Sequence, residues 1–352
     1  MTAIRGLALS IRRAPMFRDR TNAIASLILG IAIAYAGYRF IKWGVVNAIW
    51  SLPPDASSQV CRDARGEGAC WAVIAERYRF ILFGTYPFGE QWRPAVACLL
   101  FVTLYAVSTL RSWWNWRLLS AWIVLPATAV MLLRGGLPGL SYVPTEFWGG
   151  LPLTLLLSTV GFAAAFPIAI VLALGRRSEL PAIKAMSIAF IELVRGVPVI
   201  TVLFMAALMF PLFVPQGLTI DKLLRAQIAY VMVIAAYLAE VIRGGLQSIP
   251  RGQYEAAASI GLTYWPTTIL IALPQALRVS IPSLINTFIG FFKDTSLVIV
   301  IGLFDLLGAA KAVIVDAKWV GFGVEVYLFA SSIYFAFCYA VSQYSQRVEV
   351  ER

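Results

Sequence analysis

Six stretches of this 352-residue chain contain no Asp, Glu, Lys or Arg: Asn22 to Tyr38, Pro94 to Leu110, Leu118 to Leu133, Phe147 to Gly175, Gly196 to Ile220 and Val326 to Gln346. Most match the roughly 20 residues that a helix, rising about 1.5 Å per residue, needs to cross about 30 Å of hydrocarbon. A buried core does not explain six of them, and a composition of 60% apolar and 13% charged residues is far from that of a soluble domain. A membrane barrel would show alternating segments of about ten residues, whereas these runs are continuously apolar and rich in Leu, Ala and Gly. The sequence therefore predicts an all-α integral membrane protein.

The pattern places eight spans near 22–43, 93–110, 118–134, 149–174, 183–213, 224–244, 279–303 and 322–343. The first run is long for the apolar part of a signal peptide, and Arg39-Phe40-Ile41-Lys42 after it offers no small-residue cleavage site, so it reads as a retained helix. An even number of spans puts both termini on one side. The first 20 residues carry five Arg, which assigns that side to the cytoplasm. The net charge of +11 is scattered over short loops, so it points to the inner membrane surface and not to nucleic acid.

The expected organisation is a cytoplasmic arm over 1–21, a three-helix scaffold over 22–147 with an external loop at 44–92, a core over 148–346 and a cytoplasmic tail over 347–352. The external loop begins with turn material at Pro53-Pro54 and Ser57-Ser58. Its segment Trp71 to Leu82 reads either as an amphipathic helix at the outer interface or as a piece packed against protein. Cys61 and Cys70 lie in that loop, close enough in sequence to bridge in an oxidising compartment. Cys98 and Cys338 fall inside apolar runs as small packing residues.

The chain has no histidine, which removes His-based triads and His-ligated metals, and neither a metal site nor a catalytic residue is expected. It has no G-x-x-x-x-G-K-S/T phosphate loop, so if ATP drives it, hydrolysis is expected on a different polypeptide. Between the sixth and seventh spans it reads Arg251-Gly252-Gln253-Tyr254-Glu255-Ala256-Ala257-Ala258-Ser259-Ile260-Gly261, then Pro266 and Ile271-Ala272-Leu273-Pro274. Glu255 to Ile260 suit a short helix, small Ala256 and Ala257 permit close approach, Gly261 lets the chain leave helical geometry, and Pro266 is tolerated in the first turn of a second short helix.

This pattern resembles the permease subunits of ABC importers, whose cytoplasmic coupling helix carries such an EAA motif and docks on a separate ATPase. Ile191 to Pro198, Ala239 to Gly245 and Phe292 to Leu297 resemble the polar amino acid branch. The extra N-terminal spans, the long external loop and Cys70-Trp71-Ala72-Val73-Ile74 are similar to the larger permease subunit of general L-amino acid importers of Gram-negative bacteria. The resemblance implies a five-helix core, inner-membrane localisation and a heterodimer with a second homologous permease. It also implies two cytoplasmic ATPase subunits holding ATP and Mg2+, a periplasmic amino-acid-binding protein, and an L-amino acid as cargo. Glu255, Ala256, Ala257, Gly261 and Pro274 become the ATPase-coupling residues.

A zwitterion crossing a membrane needs partners for both of its charges. Glu240 and Asp294 suit the ammonium, and Lys293 and Thr295 the carboxylate, with Ser296 beside them. Counted from residue 279, Lys293 falls near the midplane. Glu192 and Arg195 share a helix face, either as a structural ion pair or as part of the path. The Arg195 to Pro198 stretch suits a kink, which lies near the translocation path in the family or is a static bend. The alternative function is an ion-coupled secondary amino acid transporter, which would build its site from two related halves. The two halves here differ in length and polar content.

Overall fold

The computed structural model describes residues 19–53, 58–136, 138–213, 215 and 219–350, with side chains described through 347. The cytoplasmic arm through residue 18, the turn positions Pro54 and Ser57, and the end of the tail lie outside these residues. The chain forms two compact units, one of residues up to Glu76 with Ala317–Glu325, the other of Arg77–Asp316 with the remainder.

In the first unit α1 (Arg20–Ile41) continues through a π-helical turn to Val46. None of the side chains of α1 is buried, and Ile24, Leu27, Ile31 and Tyr35 are exposed around it. A helix that is apolar on all sides and yet uncovered by its own chain belongs in lipid. The loop after α1 contains α2 (Gln59–Asp63), and Cys61 is disulfide-bonded to Cys70 with Cα atoms 5.7 Å apart. The ring so closed is held on both sides. Trp71 Nε1 donates to the Gly44 carbonyl at 2.7 Å, and the Cys70 amide donates at 3.0 Å to Glu325, a buried carboxylate. Lys318 pairs with Glu76 at 2.5 Å. The Trp71 to Leu82 segment forms α3 (Ala72–Phe83), with Val73 and Ile81 fully buried. Of the two readings left open by the sequence, the packed helix is the one observed.

In the second unit α4 (Trp92–Ser108) and α5 (Trp116–Arg134) form a hairpin whose turn places Asn115 as N-cap, its side chain accepting from the Arg117 amide at 2.8 Å. Arg93 is fully buried. It donates to the Leu132, Leu133 and Ser141 carbonyls at 2.7, 3.2 and 2.9 Å, closing the C-terminal end of α5, where cationic donors suit the helix dipole. Tyr86 donates to the same Leu133 carbonyl at 2.8 Å. Burial pushes its phenol up to about 12, so it remains a donor at any physiological pH.

The centre of this unit is α6 (Gly150–Arg176) packed on α9 (Lys222–Gln247). Lipid gives no hydrophobic drive for helix association, so close contact depends on small residues. Ala165, Ala169 and Ala173 repeat every four residues on the buried face of α6, and α9 buries Ala229, Ala235, Ala236 and Ala239. Gly245 shows how tight the packing is. A Cβ there would lie 2.1 Å from Ser280 Oγ and 2.6 Å from the Ala276 carbonyl oxygen.

The expected single span over 183–213 is broken. Here α7 (Pro181–Gly196) and the helix beginning with α8 (Val199–Phe204) meet at 101°. Pro198 lacks an amide hydrogen and bars helical geometry at Val197, whose ψ is 134°. After α9 come α10 (Arg251–Ser259) and α11 (Tyr264–Pro266). A π-helical turn at Thr267–Ala272 leads from α11 into α12 (Leu273–Asp294), and a 3-10 stretch runs on to Ile301. Tyr264–Ile301 is thus one continuous 38-residue helical run. The short second helix expected at Pro266 is its first turn, so the helix that carries the expected seventh span is already under way before 279. After α13 (Leu306–Ile314), α14 (Gly323–Val350) ends the described chain. Among the described residues, six helices are long and apolar enough to cross a membrane, or seven if the bent pair is one span.

Candidate translocation path and coupling helix

The turn after α10 follows from its sequence. Gly261 has φ +79°, its amide donates to the Ala258 carbonyl at 2.9 Å, and the Leu262 amide donates to the Ala257 carbonyl at 3.0 Å. This is the paired C-terminal hydrogen-bond motif that needs a left-handed residue, most easily glycine. The turn leaves Glu255, Ala256, Ile260, Tyr264 and Trp265 exposed, the last three at 74, 58 and 60%. An apolar and aromatic patch beside a carboxylate is the composition of a protein contact. Beside it is an open cleft of about 430 Å³ lined by Arg177, Gln247, Arg251, Tyr254 and Glu255.

Two expected coupling residues need correction in role. Ala257 is 1% exposed, because it lies on the face of α10 that turns toward its own chain, so it packs α10 in place. Pro274 is exposed, within the 264–301 helix and not in the coupling turn. The π-helical turn before it accommodates the missing amide.

The intramembrane charges form a network that the sequence does not pair correctly. Glu192 bonds Arg176 of α6 at 2.7 Å instead of Arg195. Glu240 receives Arg243 Nε at 2.9 Å, Arg176 at 3.3 Å and Arg195 at 4.0 Å. The Arg195 guanidinium also lies 5.3 Å from the Tyr237 ring centre, while its Nε is buried without a partner. Residues three apart on one helix do share a face, but the longer reach of Arg176 from the end of α6 wins Glu192. Three arginines and two glutamates thereby join the ends of α6, α7 and α9.

Lys293 and Asp294 lie elsewhere. The antiparallel helices α9 and α12 touch through Gly245 against Ala276 and Ser280 at one level. At another, Tyr230 donates to the Phe291 carbonyl at 2.6 Å. Lys293 is therefore near the level of Tyr230, ten residues or roughly 15 Å along α9 from Glu240. It also stands toward the C-terminal end of the 38-residue helical run Tyr264–Ile301. Lys293 is exposed and Asp294 half-buried, whereas Thr295 is fully buried and donates to the Phe292 carbonyl at 2.9 Å. The 3-10 stretch starting at Thr295 turns that side chain inward, so it does not line a cavity; Ser296 is half-buried.

Sequence reasoning passed over Arg176, Tyr237 and Asp305. Asp305 is fully buried, caps α13 through the Gly308 amide at 2.8 Å and accepts from Tyr334 at 2.9 Å. Burial raises its carboxyl above the usual range against the pull of these donors. An Asp directly before an apolar helical run is an N-cap signal and was there to be read.

With this geometry in place, comparison with known proteins is decisive. Residues 165–349 match the family described as binding-protein-dependent transport system inner membrane component. The chain belongs to that family. Among curated relatives, this inner-membrane component is 46% identical over 315 residues to the inner membrane amino-acid ABC transporter permease protein YhdY of Escherichia coli K12, covering 88% of this chain and 83% of the relative. It is 37% identical over 340 residues to the glutamate/glutamine/aspartate/asparagine transport system permease protein BztC of Rhodobacter capsulatus, covering 80 and 78%. A crystal structure of an amino acid ABC transporter with histidines matches at 29% identity and a TM-score of 0.51, covering 58% of this chain and 92% of that one. The permease fold shared with that structure is thus little more than half of the chain, whereas YhdY and BztC share much of the remainder as well.

Proposed function

We propose that the chain is the larger permease subunit of an ATP-driven L-amino acid importer of the bacterial inner membrane. It forms half of the translocation path with a second, homologous permease, and two cytoplasmic ATPase subunits hold the ATP and Mg2+. A periplasmic amino-acid-binding protein delivers the cargo. The chain itself is a non-catalytic membrane subunit.

The observation that carries this reading is the α10–Gly261 turn, which exposes Glu255, Ile260, Tyr264 and Trp265 on a member of a binding-protein-dependent transport family. These residues, with Ala256, are proposed as the ATPase contact, held by Gly261 and by the packing of Ala257. Counting the bent pair once and adding the 17-residue α4 to the six apolar helices gives eight spans with both termini cytoplasmic. Three of them form the scaffold over 22–147 and five the core over 148–346. Glu192, Arg195, Glu240, Lys293, Asp294 and Ser296 are proposed to border the path, with the charge network at its cytoplasmic end.

Purification from native membranes in mild detergent, followed by mass spectrometry of the subunits, tests the assembly. A second permease and an ATPase in fixed ratio are expected. Recovery of this chain alone, active in amino acid exchange driven by an ion gradient, would support the secondary transporter instead.

A further inference from the structure

The turn between α4 and α5 reads Arg111-Ser112-Trp113-Trp114-Asn115-Trp116-Arg117. Three of the 11 tryptophans of the chain fall there, with Trp113, Trp114 and Trp116 exposed at 37, 51 and 74%. The turn is held from within. Arg111–Trp113 make a single 3-10 turn, Trp114 Nε1 donates to the Ser108 carbonyl at 3.0 Å, and Trp122 Nε1 donates to Ser108 Oγ at 3.1 Å. Trp114 is thereby spent on the fold. The Trp116 indole N–H and the Arg117 guanidinium are exposed and have no hydrogen-bond or ion-pair partner among the described residues. Arg117 meets no acid of its own hairpin either, since no Asp or Glu stands between Glu90 and Glu146.

An apolar track leads away from this turn. Trp116, Leu119, Ile123 and Met131 follow one another along the uncovered side of α5. The helix has 19 residues and so is roughly 28 Å long, one thickness of hydrocarbon, which sets the turn at the depth of the lipid headgroups. A guanidinium and an indole N–H only donate, so they call for an acceptor, and the guanidinium for an anionic one. The track calls for an apolar chain attached to that acceptor. An anionic phospholipid carries both, a phosphate at the level of the turn and acyl chains below it, and tryptophan and arginine are the side chains that straddle this boundary. The N-terminal arm suits the turn poorly, because its five Arg repel Arg117.

We infer that the α4–α5 turn docks an anionic phospholipid, its phosphate at Arg117 and the Trp116 indole and an acyl chain along Trp116, Leu119 and Ile123. That the lipid belongs to the inner leaflet rests on the proposed topology, while the docking does not. The site lies on the scaffold hairpin, apart from the charge network and the coupling turn.

Native mass spectrometry of the purified complex tests it, with phosphatidylglycerol and phosphatidylcholine of identical acyl chains titrated into the detergent. The parental complex should retain phosphatidylglycerol at least fivefold more than phosphatidylcholine. Arg117→Gln combined with Trp116→Ala should remove that preference with the subunit composition unchanged, and Arg117→Lys should keep most of it. Equal retention of the two lipids by the parental complex, or an undiminished preference in the double variant, overturns the inference. So does a double variant that keeps phosphatidylglycerol but loses a protein subunit, which would make the turn a protein contact. Should the chain purify without any ATPase, the permease reading fails, and lipid retention by the chain as recovered still decides the docking.

Discussion

Gly261 holds a backbone angle of +79° in open surroundings, so a side chain there meets no neighbour but forces a strained conformation. Gly261→Val is therefore expected to shift the α10 turn without disturbing the membrane fold, lowering substrate-stimulated ATP hydrolysis about tenfold while chain abundance is unchanged. Normal stimulation in that variant would remove the turn from the coupling mechanism. At the far end of α12 from that turn, Lys293→Met and Asp294→Asn are each expected to abolish uptake in reconstituted vesicles with subunit recovery near parental. Parental rates for both would move the site to the partner permease. Arg93 has a structural role. Arg93→Leu strands the Leu132 and Ser141 carbonyls, leaves Leu133 to Tyr86 alone, and is expected to cost about 3 kcal/mol, read as a lowered melting temperature in detergent. Arg93→Lys should recover only part of it, since a compact ammonium cannot match the spread of a guanidinium.

The external loop, with its ring of Cys61 to Cys70, is the element whose stability is most easily switched. Closing a loop of about ten residues restricts the unfolded chain by about 2–3 kcal/mol in the chain-entropy view. Reduction is expected to loosen the segment around Glu325 and Trp71, so limited proteolysis between Gln59 and Trp71 should accelerate in reductant but not in oxidised protein. Equal rates would mean the hydrogen bonds at Cys70 and Trp71 suffice without the bridge. Helices were legible in the sequence wherever continuous apolarity or a specific breaker set them: α1, the hairpin of α4 and α5, and the α10 turn with Gly261. The 101° bend was legible only as a kink at Gly196 to Pro198, because a proline shows where a helix breaks and not in which direction it resumes. The full length of α12 was not legible because Gln275 and Arg278 interrupt the apolar pattern although the helix runs through them. Ion pairs were the least legible, since Arg176 reaches Glu192 and Glu240 across helices, a pairing that no spacing along one helix reveals.

For the whole molecule, the family is that of an inner membrane transport component, and the proposed entry point for the energy of ATP is the exposed turn after α10. The proposed eight-span topology puts both ends inside, so Ser345→Cys is expected to be labelled only after the membrane is opened or inverted. The central claim is that hydrolysis on a partner drives amino acid movement through this chain. Uptake of radiolabelled amino acid into proteoliposomes holding the purified complex, with binding protein outside, tests it most directly. The account predicts uptake that requires ATP within reach of the ATPase, collapses with an ATPase variant unable to hydrolyse it, and ignores ion gradients. Uptake by this chain without an ATPase, rising with an imposed proton or sodium gradient, would contradict it.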